Sequence, residues 1–388
     1  MSSEPFADWV HSGVVPLTGP AAVPPLAPPG RAATVARAVA ARCSLPVDGA
    51  LLLSERAAFT GRGRRGPVSV GGSCRILPTA DGWAAVSCAR PDDPLLLGAL
   101  VEARLPADPW PAVARWLLAH SGDDLVTRAT LLGVAAGPIR PPDQPPRLPR
   151  PGRVRSVEGL LVVDFSALWA GPLCAHLLGL LGADVVKVET PQRPDGARGG
   201  NAEFYRLLHA GHRSVVLDPD TTGGRRALAA LVDAADIVIE ASRPRALVRF
   251  GLDAEAAARG GTIWMSLTAY GRRSDRIGFG DDVAAANGLV AFGENGTPYF
   301  CGDAIADPLT GLVATELALS APENGRGALF DLAMADVVAS TLDADSQSGP
   351  LPAGVPIALP RRRSVTGTAA ESGAHTGEVL RELGIPLP

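Results

Sequence analysis

From about residue 158 to 268 the chain repeats one pattern: a short apolar run, a glycine or polar break, then a helix-forming stretch. The runs fall at 160–164, 185–188, 215–217, 236–240 and 262–266, about 25 residues apart. Their length is that of strands, and a continuous apolar run belongs to a strand buried on both faces. Buried strands alternating with helices are βαβ units, which build a parallel sheet with helices on both sides. The pattern therefore predicts a doubly wound, mostly parallel α/β domain over 158–344. A glycine/proline turn at 170–172 leads into a predicted helix over 173–181, which Gly182 ends. A second helix is expected over 223–234, with short ones around Ala246 and Ala254.

The flanks have a different texture. Residues 138–151 are so dense in proline that they fix φ and lose backbone donors, so 138–157 reads as an extended linker. Ahead of it, 1–137 reads as a small α+β domain. Its core is a hairpin of 74–77 and 83–87 around Asp81-Gly82, with helices over 34–42, 94–103, 110–120 and 125–132. Residues 1–30, rich in Pro and Ala without a period, read as loops or a loosely packed arm. Beyond the large domain, 345–388 reads as a flexible connection and a last helix over 375–383, ending at Gly384.

Composition removes several function classes. With 388 residues, 46% of them hydrophobic, the chain can bury a full core. A net charge of −4 gives no electrostatic footprint for nucleic acid. Five scattered cysteines without a CxxC pair point to neither disulfides nor zinc, and no metal is expected. No basic, then apolar, leader precedes the chain's first turn, and the most apolar stretch, 167–186, carries His176 and Asp184 and is broken by Gly171-Pro172. The expectation is a soluble, reduced, cytoplasmic protein without membrane contact.

Candidate sites are few. Gly61-Arg-Gly-Arg-Arg-Gly66 matches GxGxxG but follows no strand and opens no helix, so it lacks the helix N-terminus that would receive a pyrophosphate. His209 and His212 have no third ligand near them and read as surface or capping histidines. No GxSxG elbow is present. Asp281-Asp282, before the apolar run 283–290, reads as a helix N-cap. Asp307, in Ala304-Ile-Ala-Asp-Pro-Leu-Thr-Gly311, reads either as an N-cap with Pro308 at the first helical position or as a catalytic carboxylate.

Val163-Asp-Phe-Ser-Ala-Leu-Trp-Ala-Gly-Pro172, followed by Leu-Leu-Gly-Ala-Asp-Val-Val-Lys-Val-Glu189, resembles the class III CoA-transferases, the group that includes formyl-CoA transferase, carnitine CoA-transferase and α-methylacyl-CoA racemase. His212-Arg-Ser-Val-Val-Leu-Asp218, Ala235-Asp-Ile-Val-Ile-Glu240, Pro244-Arg-Ala-Leu-Val-Arg-Phe-Gly251, Asp307 with Gly311, and Gly325-Arg-Gly-Ala-Leu-Phe-Asp331 continue the series in the family's order. Asp81-Gly-Trp-Ala-Ala-Val86 and Ala135-Ala-Gly-Pro-Ile139 resemble the family's small domain, which normally follows the large one; here it comes first. His375-Thr-Gly-Glu-Val-Leu-Arg-Glu-Leu-Gly384 resembles the family's C-terminal helix.

The resemblance implies a Rossmann-like large domain and transfer of CoA between carboxylic acids, with acyl-CoA and an acid as substrates and no tightly bound cofactor. A homodimer is the implied assembly. Asp307 matches the aspartate that becomes acylated, and a helix N-terminus would keep it ionised. Leu168, Leu217, Ala246 and Arg249 match positions that line CoA, and Trp169 stands where some members carry a glutamine near the acyl carbonyl. Arg193 and Arg198 are candidate phosphate partners by charge and loop placement. Gly71 and Gly72, in Val70-Gly-Gly-Ser-Cys74, resemble the glycine-rich loop over the active site. Thr190, Ala241 and Thr268 replace an arginine, an asparagine and a lysine of relatives. The racemase branch carries a histidine where this chain has Phe279-Gly280, so the second base of a proton exchange would fall to Asp281 or Asp282. Racemisation, and a non-catalytic partner subunit, are the alternatives.

Overall fold

The computed structural model of the chain describes residues 4–141, 145–242, 244–321, 327–343 and 347–388. Pro142-Asp143-Gln144 of the linker, Gly325-Arg326 of the last shared motif and the first residues of the C-terminal connection, 344–346, lie outside the described residues.

Strands β1 (Cys74–Pro78), β2 (Trp83–Ser87) and β3 (Ala136–Pro138) form an antiparallel sheet in that order. Helices Asp93–Leu100, Trp110–Leu118 and Gly122–Leu132 accompany it, and Leu97, Leu100, Val113, Leu117 and Leu125 close a core of their own over Ala84 and Val86.

The main sheet holds β4 (Leu161–Asp164), β5 (Asp184–Glu189), β6 (Arg213–Val216), β7 (Ile237–Glu240), β8 (Ile263–Thr268) and β9 (Ala328–Ala333), all parallel. Across the sheet they run β6-β5-β4-β7-β8-β9. Counted within this sheet the order is 3-2-1-4-5-6, the doubly wound arrangement, and it reverses between β4 and β7. A crevice opens at such a switch point, outside the carboxyl ends of the strands.

Several boundaries differ from the reading of the sequence by a few residues, and two of the differences have a clear physical reason. The first helix runs Ala170–Leu180 and takes in Pro172, because a proline in the first turn gives up an N–H that has no helical partner anyway. The third strand begins at Arg213 rather than 215. It is the edge of the sheet, where a charged residue is tolerated, and Arg213 pairs there with Asp184 and Glu382.

The N-terminal residues are not a loose arm. Glu4–His11 is a helix, Val15–Leu17 a single 3₁₀ turn, and Trp9 donates its ring N–H to the Gly30 carbonyl at 2.8 Å. Trp9, Val14, Val15, Ala33, Ala36 and Leu53 share one core with Leu173, Leu177, Leu309 and Leu312. Their burial comes from contacts distant in sequence, which no local period announces. The stretch read as one unit, 1–137, thus feeds two cores. The C-terminal connection is tied down as well. Gly349-Pro350 pairs with Leu26-Ala27, Arg363 binds both oxygens of Glu55 at 2.8 Å, and Ala369 bridges Ala210. The last helix, Thr376–Glu382, then caps the β6 edge, where the Ser214 and Val216 N–H groups donate to His375 and Thr376.

Helix Ala306–Ala318 packs on helix Ala170–Leu180 at Gly311, where an added Cβ would lie 2.7 Å from the Ala170 carbonyl oxygen and 3.1 Å from Leu173 Cβ. Gly311→Val is expected to lower the urea midpoint by the equivalent of about 1–3 kcal/mol, the usual scale of overpacking. An unchanged midpoint would contradict this close packing.

Candidate active site

Asp307 is the second residue of helix Ala306–Ala318, whose N-cap, Ile305, makes no side-chain cap bond. The expected arrangement, Asp307 as cap with Pro308 first, is therefore corrected by two positions: Asp307 is the second and Pro308 the third residue of the helix, and neither caps it. The carboxylate is free for other work. It is part-exposed while Ile305, Ala306 and Leu309 around it are buried. It rests against Gly280, where a Cβ would come 2.6 Å from Asp307 Oδ2 and 2.5 Å from the Ala304 carbonyl oxygen. Only glycine fits at 280.

Asp281 and Asp282 occupy the first turn of the facing helix, Gly280–Ala286, rather than its cap. Asp282 accepts the Phe279 N–H at 3.0 Å and the Ser87 hydroxyl at 2.7 Å, so β2 is joined to this helix; its Oδ2 has no partner. Asp281 accepts the Ala304 N–H at 2.8 Å. Ala304 holds φ at +45°, a left-handed conformation costly for a non-glycine residue and common at functional sites. Arg56, from helix Glu55–Thr60, grips Asp303 with both arms, Nε–Oδ2 at 2.8 Å and Nη2–Oδ1 at 2.5 Å, and lies 4.8 Å from the centre of the Trp169 ring. Gly71 covers this group: its Cβ position is 3.6 Å from Arg56 Nη2 and 3.9 Å from both Asp281 and Asp303. Gly72 follows at φ +88°.

Three carboxyl groups, Asp303, Asp281 and Asp307, thus share one guanidinium, with Asp282 beside them. Burial first, then the neighbouring acids, raises Asp307 to about 7, with Arg56 opposing. Burial and Asp303 raise Asp281 to about 6, again against Arg56. Burial raises Asp282 to about 7 despite its hydrogen bonds. The expectation that the helix N-terminus keeps Asp307 ionised is overturned in direction. The roughly half charge of a helix end is outweighed by burial and three acids. Asp307 is protonated below about 7 and ionised above it.

The residues matched to CoA sites fall at the carboxyl ends of the strands. Leu168 follows β4, exposed, at φ +71°, its N–H donating to Asp195 at 3.0 Å. Lys187, the chain's only lysine, is buried at the end of β5 and fixes this loop through the Ser166 carbonyl at 2.7 Å and Asp195 at 3.0 Å. Trp169 is buried edge-on to Phe204 and beneath Arg56. Ala246 and Arg249 lie on helix Pro244–Arg249 after β7, with Arg249 exposed. Leu168 and Trp169 thus follow β4, and Ala246 and Arg249 follow β7, the two strands that flank the switch point. Arg193 is exposed on the loop after β5, and Arg198 holds Glu189 with both arms and stacks over Tyr205. Leu217 is buried in the core behind β6.

His209 and His212, read as surface or capping residues, are buried beside His176. Burial and then the Lys187 charge push His209 well down and His212 down to about 3. Arg56 and Asp303 were missed altogether, because they lie 247 residues apart and neither has a local motif. Gly302-Asp303, four residues before Asp307, was the only nearby trace. Among the described residues no group of three or more metal-ligating side chains could hold an ion, and no helix is long and apolar enough to cross a membrane.

Residues 157–368 match CoA-transferase family III. The succinate–glutarate CoA-transferase of Agrobacterium fabrum is 32% identical over 216 residues, 50% of this chain and 54% of that protein. The beta subunit of succinyl-CoA–L-malate CoA-transferase from Chloroflexus aurantiacus is 33% identical over 199 residues, 46% of this chain and 49% of the other. A crystal structure of a hypothetical protein from Mycobacterium tuberculosis aligns with TM-score 0.45 and 31% identity, covering 48% of this chain and 57% of that one. The chain spans about half the length of the curated relatives it matches. With more than half of its residues inside the matched region, the chain belongs to CoA-transferase family III.

Proposed function

We propose that this chain is an acyl-CoA:carboxylate CoA-transferase with Asp307 as its nucleophile. One observation carries the reading: a part-exposed carboxylate in the first turn of its helix, raised to about 7, packs on Gly280 beside the Arg56–Asp303–Asp281 group that Gly71 covers. An ionised Asp307 oxygen attacks the thioester carbonyl, the C–S bond breaks, and CoA leaves as thiolate from a mixed anhydride. The thiolate attacks the aspartyl carbonyl carbon, releasing the first acid and leaving an aspartyl-CoA thioester. An acceptor carboxylate attacks that thioester and frees the thiolate again. The thiolate then takes the acceptor's acyl carbon and restores Asp307. Thioester energy is kept throughout, so water must be held off the anhydride, a role that fits Gly71 and Gly72.

Leu168, Trp169, Ala246 and Arg249 are the residues we assign to the CoA moiety, with Arg193 and Arg198 for phosphate. Arg198 would have to loosen from Glu189 to serve. The same reading takes the antiparallel unit as the family's small domain moved ahead of the large one, with divisions near 137, 157 and 344. It also takes the protein as a cytoplasmic homodimer. Ser87 on Asp282 and Gly71 over Asp281 support the permuted order, since the front unit supplies what a displaced small domain would.

Racemisation needs a second base. A side chain at 280 would collide with Asp307, which leaves Asp282, whose unpartnered Oδ2 lies beside Gly278. Deuterium entering the α-carbon without any acceptor acid would favour that reading. Loss of CoA binding in calorimetry would favour a non-catalytic subunit.

Asp307→Asn is expected to lower exchange of labelled carboxylate into acyl-CoA by about three orders of magnitude, as for other lost nucleophiles. Exchange at the wild-type rate would end the proposal. Because Asp307 must be ionised, kcat/KM should rise with pH through about 7. Arg56 favours the ionised form, so Arg56→Gln should move that limb to higher pH and Arg56→Lys should restore part of the shift. A limb unmoved in a folded Arg56→Gln would contradict the electrostatic role.

A further inference from the structure

Helix Ala202–His209 and the C-terminal connection enclose a cavity of about 250 Å³ whose wall carries three guanidinium groups. Arg206 comes from the helix, and Arg362 and Arg363 come from the connection. The three are not equally engaged. Arg363 is committed: Nε and Nη2 hold Glu55 at 2.8 Å, its backbone N–H donates to the same carboxylate at 3.0 Å, and Nη1 meets His176 at 3.0 Å. Arg362 pairs with Glu203 at 2.9 Å, both side chains 55% exposed, and lies 5.6 Å from the centre of the Phe59 ring. Such an open pair is worth little and leaves other guanidinium donors free. Arg206 is exposed and has no acid in ion-pair reach among the described residues.

Glu203 is the one acid in this wall. With Glu55 answering Arg363, one positive charge remains without a counter-charge. Ser364 lines the cavity too, and neither its hydroxyl nor its N–H has a partner among the described residues. A phosphate dianion brings three acceptor oxygens and close to two negative charges, and forked guanidinium donors receive it well. A hydroxyl and a free backbone N–H complete such a shell. A carboxylate, with two oxygens and one charge, uses fewer of these donors. The cavity shares no wall residue with the carboxylate group around Asp307. Phe59 in its wall packs on Phe204, and Phe204 packs on the buried Trp169.

We propose that Arg206, Arg362 and Ser364 bind a phosphate dianion, the chemistry shared by free phosphate and a phosphate monoester, at a site apart from the one assigned to CoA. Arg363 is the clamp that ties the connection to helix Glu55–Thr60. The site does not depend on the transferase reading.

The test is calorimetry on the full chain at fixed ionic strength, with CoA present in excess so that any phosphate site belonging to CoA is filled. Inorganic phosphate and glycerol 3-phosphate are the probes, the tighter one showing which form the site takes, and acetate is the comparison. Wild type should bind at least one phosphate probe more tightly than acetate. Arg206→Gln should weaken that binding by about tenfold or more, the scale of a lost charge-assisted bond. Arg206→Lys should recover part of it, and Ser364→Ala should weaken it less. Glu203→Gln should tighten it, since Arg362 then loses its competing acid. Phosphate bound no more tightly than acetate, an unchanged affinity in a folded Arg206→Gln, or Arg206-dependent binding that vanishes when CoA is added, overturns the site.

Discussion

One guanidinium sets the state of the site. Arg56 meets Asp303 face to face, and at an effective dielectric of about 20 such a pair is worth about 4 kcal/mol in Coulomb energy at 4 Å. Asp303 uses most of that attraction. The Arg56 charge also favours the ionised forms of Asp281 and Asp307, but burial outweighs it and raises both, as burial raises Asp282. The consequence for chemistry is direct. In the reaction we propose, a thiolate leaves and returns beside these acids, and neutral neighbours repel it less than ionised ones. Arg56 also rests on Trp169, so the charge that tunes the carboxylates is fixed to the loop that follows β4.

That loop is itself held from below. Lys187, buried at the end of β5, ties Ser166 to Asp195, and Asp195 holds the Leu168 N–H in a left-handed turn. A second non-glycine left-handed residue, Ala304, hangs on Asp281 at the other side. Each such conformation costs of order 1–3 kcal/mol and persists only where its surroundings insist on it. One follows β4, and the other leads into the helix that carries Asp307. The rigidity of the parallel sheet makes that possible, because it presents the ends of β4 and β7 at a set spacing.

The parallel sheet could be read from the chain because its strands are buried on both faces and therefore announce themselves as unbroken apolar runs. β6 was the least clear, since an edge strand tolerates Arg213 and so loses the signal. Asp307 could be found by its motif but not placed. The segment Ala304-Ile-Ala-Asp-Pro has the chemistry of a cap, and which residue caps is decided by Asp281 drawing on the Ala304 N–H from another helix. The buried histidines and Arg56 were hidden for the same reason. Arg56 meets Asp303 across 247 residues and the histidines gather from separate elements, and burial of a polar side chain leaves no periodic mark. The first 30 residues were misjudged likewise: Trp9 and Val14 are apolar without a period, and they are buried by joining the core that holds the helices over 170–180 and 306–318.

The central claim is that Asp307 becomes covalently acylated. The most direct measurement is to incubate the full chain with succinyl-CoA and hydroxylamine above pH 7, digest it, and weigh the peptide that contains residue 307. The account requires a hydroxamate on Asp307 that depends on the acyl-CoA. An unmodified Asp307 in protein shown to have bound succinyl-CoA, or a hydroxamate on another carboxylate of the cluster, would contradict it.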